Sequence, residues 1–368
     1  MSVPAQAGDF GFALQAAKVG SGGTFTPASY TWYRSEAISV RMDLIQGDQI
    51  LPPEVGPIIV PKGAYKDSVY GAGQIDMLPR AELGLGILLY AAMGAVSSVT
   101  GVDPDGNSVA GVNTHIFRFA SNAYTIPWIA MRRLIPGATT ADNLGDSFYD
   151  AKLTNMRMTV GARGKVSTRV TAVGRDIKQE TNPTWTWDHD YEDATATLES
   201  GAGFIKIAGV EYPVTAAVVE FDNGVTTPNQ EMTIGDYHPD DFIPLYRTMT
   251  IRFVYKWKDS ALYRLIRNGG TGVAWTNLPH LFQTVGGDYG LELAVKTPKL
   301  IVGTTPFDLR IRGNNMTIAA DGPIELAGAT LLQQAFTATV LYLSGSDYVD
   351  FVLANAQPNS AYNFSYTI

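Results

Sequence analysis

Apolar and polar positions alternate with period two along much of the chain, as in strands that bury one face and leave the other wet. The clearest stretch sets Val166, Thr168, Val170 and Ala172 against Ser167, Arg169 and Thr171, and with the turn at Gly161–Gly164 it predicts a hairpin over Phe148–Ile177. Shorter runs predict strands at Trp32–Gly47, Gln74–Leu78, His115–Ala120, Thr125–Leu134, Val210–Asp222 and Met249–Trp257. Others follow at Leu291–Val295, Leu300–Val302, Leu309–Ile311, Met316–Ala319, Phe336–Leu343 and Tyr348–Leu353. Regular short strands divided by Gly, Pro and Asn turns predict a mainly β protein of sandwich or barrel type.

Only two runs read as helices. Ala81–Met93 is apolar on nearly every side, with Pro79 before it and Gly94 after it. Such a helix must be buried on most faces, and for a small domain this predicts a cover from outside. Ser260–Arg267 is the second, closed by Asn268-Gly269.

The order of these elements occurs twice. A strand ending at Gly47, a long Pro/Gly-punctuated stretch, a strand and the first helix are matched by a strand ending at Asn223-Gly224, a turn-rich stretch, a strand and the second helix. The spacing from Gly47 to Gly224 is close to that from Gly94 to Gly269, though residue identity between the halves is negligible. The expected organisation is an N-terminal arm (1–29), a first module (30–180), an acidic linker or surface excursion (181–206), a second module (207–356) and a tail (357–368). Each module would be a β-sandwich with one flanking helix. The stretch Gln46–Gly73 reads as a long loop whose apolar residues find no core of their own, so they are expected to bury in a neighbouring subunit.

Length and composition agree with folded globular units: 368 residues, 45% hydrophobic and 17% charged. A formal net charge of −8 argues against a general DNA-binding surface, which needs Lys and Arg to neutralise phosphates. With no cysteine there are no disulfides, thiolate metal sites or cysteine nucleophiles. No signal-peptide pattern opens the sequence, and the longest apolar stretch, Leu83–Val96, falls short of the roughly 20 residues of a membrane span. No membrane association is expected.

Candidate chemistry is sparse. Asp103-Pro104-Asp105-Gly106-Asn107 opens like a calcium loop but has Thr114 where the bidentate Glu is required, so a plain turn is expected. Asp188-His189-Asp190 with Glu192 and Asp193 is the densest group of potential metal ligands, without a second His at ligand spacing. It reads as a solvated acidic loop with aromatic anchors. There is no Walker loop, no G-x-S-x-G and no complete dinucleotide fingerprint. No catalytic residue, cofactor or metal is expected. Two competing readings are a carbohydrate-binding or accessory β protein stacking sugars on Trp185, Trp187, Tyr191 and Trp275, and a glycoside hydrolase using Asp188 and Glu192.

The element order, with Gly71–Gly94 (GAGQIDMLPRAELGLGILLYAAMG), His115–Phe119 (HIFRF), Tyr149–Val160 (YDAKLTNMRMTV) and the closing Leu332–Ala356 hairpin, resembles the tail tube proteins of long-tailed bacteriophages. The resemblance implies two tail-tube-like modules whose inner sheets join across subunits into a barrel around a channel. The chain would be a virion tail component assembled in the host cytoplasm, forming homotrimeric rings, or homohexamers as the alternative, stacked into a tube. Its partners would be tail terminator, tail-tip or baseplate and tape measure proteins, with double-stranded DNA passing through unbound. The expected assembly residues are Ile50, Leu51, Ile58, Ile59, Tyr65 and Tyr70 of the long stretch, Leu85 and Leu89 of the helix, and Ile234, Tyr237 and Phe242 of the second half. The channel wall is expected to be polar and acidic, drawn from the wet faces of Lys152–Val173, Val214–Glu220 and Met249–Trp257, with Arg157, Arg163, Lys165 and Arg169 opposing that trend.

Overall fold

A computed structural model describes residues 8–50, 63–120, 126–270, 280–322, 324, 331–341, 349–362 and 364. The first half supplies β1 (Asp9–Gln15), β2 (Tyr33–Arg34), β3 (Ser39–Ile50), β4 (Ala64–Met77), α1 (Gly84–Met93), β5 (Gly94–Val102), β6 (Ser108–Phe119), β7 (Trp128–Ile135), β8 (Leu144–Gly161) and β9 (Ser167–Thr181). The rest supplies β10 (Glu199–Ile207), β11 (Val210–Tyr212), β12 (Val214–Asp222), β13 (Thr248–Lys256), α2 (Ala261–Asn268), β14 (Leu281–Gln283), β15 (Leu291–Val302), β16 (Thr305–Gly313), β17 (Asn315–Ala320), β18 (Gln333–Val340) and β19 (Val349–Asn355). The mainly β expectation holds, in two antiparallel sheets.

The larger sheet contains an unbroken run of eight strands, β3-β4-β9-β8-β12-β13-β18-β17. Its first four strands come from the first half and its last four from the second, in the same relative order. The seam is the β8–β12 pair, in register from Ala216↔Gly161 to Asp222↔Asn155. A wing of β7, β1 and β2 pairs with the other end of the long β8, where buried Asp150 takes a φ of 47° and the strand changes partner. The smaller sheet runs β11-β10-β15-β16-β19-β6-β5, so the last strand of the chain pairs with β6 of the first half.

One hydrophobic cluster fills the space between the sheets and draws on both halves, from Phe12, Met42 and Ile75 to Phe253, Phe336 and Phe351. At the middle lies α1, with every residue from Leu85 to Met93 buried. It packs on β8, β5, β6 and the 3-10 turn Asn359–Tyr362. Gly86 lies against the Tyr362 ring so closely that a Cβ would come within 2.3 Å of it. Gly94, at φ 91°, ends the helix in the left-handed conformation that glycine adopts without strain. The expectation that this helix waits for an outside cover is therefore corrected, because the chain wraps it with both its own sheets. By contrast α2 buries only Leu262 and Ile266 and exposes its other side.

Three further readings are corrected. The stretch Gln46–Gly73 is mostly a long β3–β4 ribbon, paired from Ser39↔Asp76 to Ile50↔Ala64. Gly71 and Gly73 look like loop punctuation but are strand positions under close neighbours: a Cβ at Gly71 would meet the Phe148 ring at 2.0 Å, and one at Gly73 would meet Met42 at 2.9 Å. Residues expected in a loose arm form β1, whose Phe10, Phe12 and Ala13 are buried, and Phe25 beyond it is buried as well. The expected C-terminal tail carries Tyr362, fully buried against the helix.

Candidate functional site

The feature with the clearest potential for function is the outward face of the eight-strand run. Cross-strand register aligns Asp76, Arg169, Arg157, Glu220, Thr250, Thr339 and Thr317 in one row. A second row aligns Ser167, Thr159, Val218, Arg252, Thr337 and Ala319. The alternate residues, among them Ile75, Val170, Met156, Phe221 and Ile251, face the core. This face is polar, as expected, but mixed in charge where an acidic excess was anticipated. Arg157 and Arg169 stand directly opposite one another between two carboxylates. Arg169 is paired with Asp76 at 2.7 Å and Arg252 with Asp321 at 2.6 Å, while Lys165, on the turn, pairs with Glu199. The ion pairs that limit this positive charge lie within one chain.

Among the described residues both ends of the run have unpaired edge positions. Among the described residues β3 pairs with β4 alone, and Ile318–Ala320 of β17 pair only with β18 because β14 stops at Asn315–Thr317. Open edges invite pairing with another chain unless they are protected.

The β3–β4 ribbon leaves the body of the molecule beyond Gly47 and Ser68. Asp48, Gln49, Ile50, Ala64, Tyr65, Lys66 and Asp67 are all exposed, with Ile50 at 66% and Tyr65 at 55%. Two strands alone are marginal in water. At its base Val69 N–H donates to Tyr237 O at 2.7 Å, so the 225–247 loop of the second half braces the ribbon. That loop exposes Ile234, Tyr237, Leu245 and Tyr246, and is fastened from beneath by Lys152–Asp241 (2.7 Å) and Arg175–Asp236 (2.5 Å).

The expected assembly residues thus fall into three groups. Ile50, Tyr65, Ile234 and Tyr237 are exposed. Leu85, Leu89 and Phe242 are buried inside their own chain, which corrects their assignment to a contact between copies; Tyr70 is half-buried beside Phe242. Leu51, Ile58 and Ile59 lie outside the described residues.

The acidic segment between β9 and β10 is not a free linker. Asp188 accepts from Trp32 N–H at 2.7 Å, Asp190 pairs with Arg34 at 3.0 Å, Glu192 accepts from Leu83 and Gly84, and Asp193 pairs with Lys299 at 3.1 Å. Each of these carboxylates is held by donors from a different part of the fold, and Asp188 and Glu192 both line a cavity of about 310 Å³. Among the described residues no group of three or more His, Asp or Glu could hold a metal ion. The sugar-platform residues are committed too. Trp185 and Trp187 meet edge to face at 82°, both lie near the buried Arg132 guanidinium, and Tyr191 covers Arg34 at 4.1 Å; Trp275 lies outside the described residues. With Trp32 stacked 3.5 Å away and no hydrogen bond at Nε, burial pushes Arg132 down to about 10.

The calcium-like loop is a turn closed on itself, Asp103 Oδ1 accepting from Asp105 N–H and Asn107 N–H. Its Asp105 makes a two-pronged pair with Arg310 on β16. A network missed in the sequence joins Ser98 Oγ to His115 Nδ1 at 2.8 Å and His115 Nε2 to Asn355 Oδ1 at 3.0 Å. Burial pushes His115 down to about 4 and no part of it is exposed, so it serves as a neutral cross-strand tie out of reach of any substrate.

No protein-family model and no curated protein matches this chain. Among solved structures, a crystal structure of a Pseudomonas aeruginosa FadL homologue aligns over 94% of this chain and 87% of its own, at 8% identity and a TM-score of 0.09, too low to support a shared fold. Among the described residues no helix is long and apolar enough to cross a membrane.

Proposed function

We propose that the chain is a self-assembling structural subunit of a tube, of the kind that forms bacteriophage tails, with two tail-tube-like modules fused across the β8–β12 seam. The observation that carries this reading is the eight-strand run, in which two quartets of the same relative order share one continuous polar face and, among the described residues, end in edge positions without a further strand. In each half the helix follows the second strand of its quartet, α1 after β4 and α2 after β13. Joining the β3 edge of one copy to the β17 edge of the next is a head-to-tail contact. Such contacts generate rings when the rotation closes, and closure removes the exposed edges.

Three copies would then make a pseudo-hexameric ring whose wall is the polar face. Electron microscopy of the purified protein tests this, with rings or tubes of three copies expected and a monodisperse monomer at high concentration as the contrary result. The ribbon and the 225–247 loop would join stacked rings. Replacing Asp48–Asp67 with an Asn-Gly turn should leave thermal stability within about 1 kcal/mol of the parent, because its described strand residues, Asp48–Ile50 and Ala64–Asp67, are exposed, while abolishing tubes. Tubes of normal length from that variant would remove the ribbon from the stacking contact.

A further inference from the structure

The two ends of the eight-strand run are related by direction as well as by position. Seven successive antiparallel pairs lead from β3 to β17, so these strands point opposite ways. A β17 laid beside the β3 of another copy therefore continues the antiparallel alternation. Ser39 and Thr317 stand at the two ends of one cross-strand row. The start of β3 and the β17 residues 318–320, which β14 leaves unpaired, thus lie at the same end of the run.

Each edge carries an incompletely covered feature on its core-facing side. A groove of about 700 Å³ is lined by Ala37, Ile38 and Val40 at the start of β3 and by Phe10, Leu134 and Ile135 of β1 and β7. Phe10 belongs to the central cluster and Ala37 and Val40 pack against it, yet Ile38 is 64% and Ile135 39% exposed. Beside β17 lies α2, which packs on that strand and sends Leu262 and Ile266 into the same cluster. Its Tyr263 and Leu265 stay half-buried, and Arg264 and Arg267 are exposed.

We propose that α2 of one copy seats in this groove of the next, so that a neighbour completes α2 where its own chain completes α1. The contact rests on the ring proposed above and supplies its lateral seam. Charge favours this occupant. Residues 256–268 carry Lys256, Lys258, Arg264 and Arg267 against Asp259 alone. Around the groove Asp9, Glu36, Asp146 and Asp190 face Arg34, Arg80 and Arg133, four carboxylates to three guanidiniums. Glu36 and Asp190 keep 60% and 75% of their side chains exposed. A basic helix with apolar flanks meets an apolar groove with an acidic rim. A symmetric contact of α2 with α2 would instead oppose like charges, so complementarity selects the head-to-tail arrangement.

Two measurements test the seam. Arg264→Glu/Arg267→Glu reverses the exposed charges of α2. At low salt the protein concentration at which rings form, followed by sedimentation and electron microscopy, should rise at least about tenfold, with the thermal midpoint unchanged because both side chains are exposed. Ring formation at the parental concentration overturns the contact. The second measurement uses the absence of cysteine from the chain. Ser35→Cys at the groove and Ser260→Cys before α2, on chains with tags of different length, are mixed and treated with a flexible bismaleimide. The mixed dimer should be the main product. Rings that yield no mixed dimer overturn the seat of α2 and leave the ring standing. An unaltered protein that stays monomeric at high concentration removes the ring, and the seam with it.

Discussion

Leu89→Asp should prevent the chain from folding, not merely from assembling. Leu89 is 1% exposed in a helix covered on all sides by the protein's own strands. The substitution removes a packed side chain, at about 2–5 kcal/mol, and adds a desolvated carboxylate costing several kcal/mol more. Together these rival the whole stability of an ordinary domain, about 5–15 kcal/mol. The expected result is insoluble protein, or soluble protein without a cooperative urea transition followed by circular dichroism. Tyr65→Asp is the counterpart: at an exposed ribbon position it should shift stability by no more than about 0.5 kcal/mol. A well-folded Leu89→Asp protein with a normal midpoint would mean that the helix is not enclosed by its own chain.

The contrast between these two positions shows what could be read in the sequence. Period two in Val166–Ala172 identified the β8–β9 hairpin, and Gly94 and Gly269 marked both helix ends, because these signals are local. What covers α1 was not local. The burying surfaces come from β5, β6, β8 and Tyr362, the last more than 250 residues downstream. Gly71 and Gly73 misled for a similar reason, since the rings and side chains that make glycine necessary there belong to Phe148 and Met42.

The candidate site was legible to the same extent. Ile50 and Tyr65 were recognised as apolar residues without a core and are exposed; of the second-half residues expected at assembly contacts, Ile234 and Tyr237 are exposed, whereas Phe242 is buried beside Trp128 and Val173. Individual strands of the polar face were visible, but not the pairing that joins them. Nothing in Met156–Val160 or Val214–Glu220 taken alone indicates that β8 and β12 are neighbours. The acidic cluster at Asp188–Asp193 was noticed for metal binding, yet each carboxylate was matched to a donor far away in sequence.

Arg310→Met is the second substitution expected to be severe. Arg310 lies on β16 with its side chain 3% exposed, and its Nε donates to Asp308 Oδ2 at 3.0 Å. Its two terminal nitrogens reach Asp105 at 2.5 and 2.7 Å, and one approaches Glu292 Oε1 at 3.5 Å. One guanidinium thus joins the β5–β6 turn of the first half to the second-half strands β15 and β16 inside the same sheet. Met conserves much of the volume, so little of the loss should come from packing; the damage lies in the carboxylates left behind. Asp105 can return to water and Glu292 keeps Arg312 at 2.8 Å, but Asp308 stays buried with only Lys296 nearby, at 3.9 Å. Removing one partner from a buried ionic group costs about 3–5 kcal/mol, chiefly as uncompensated charge. Adding Asp308→Asn should therefore recover a substantial part of the loss, whereas Asp105→Asn alone should cost no more than about 1 kcal/mol. Burial already raises the Asp308 carboxyl above its ordinary range, and losing Arg310 should raise it further. Folding then takes up a proton at Asp308, so the deficit of Arg310→Met should shrink as pH falls through that raised value and be largest at neutral pH. Urea titrations at neutral and mildly acidic pH would measure both effects. A deficit that the second substitution does not reduce would locate the loss in the guanidinium's own contacts and not in the charge it leaves buried.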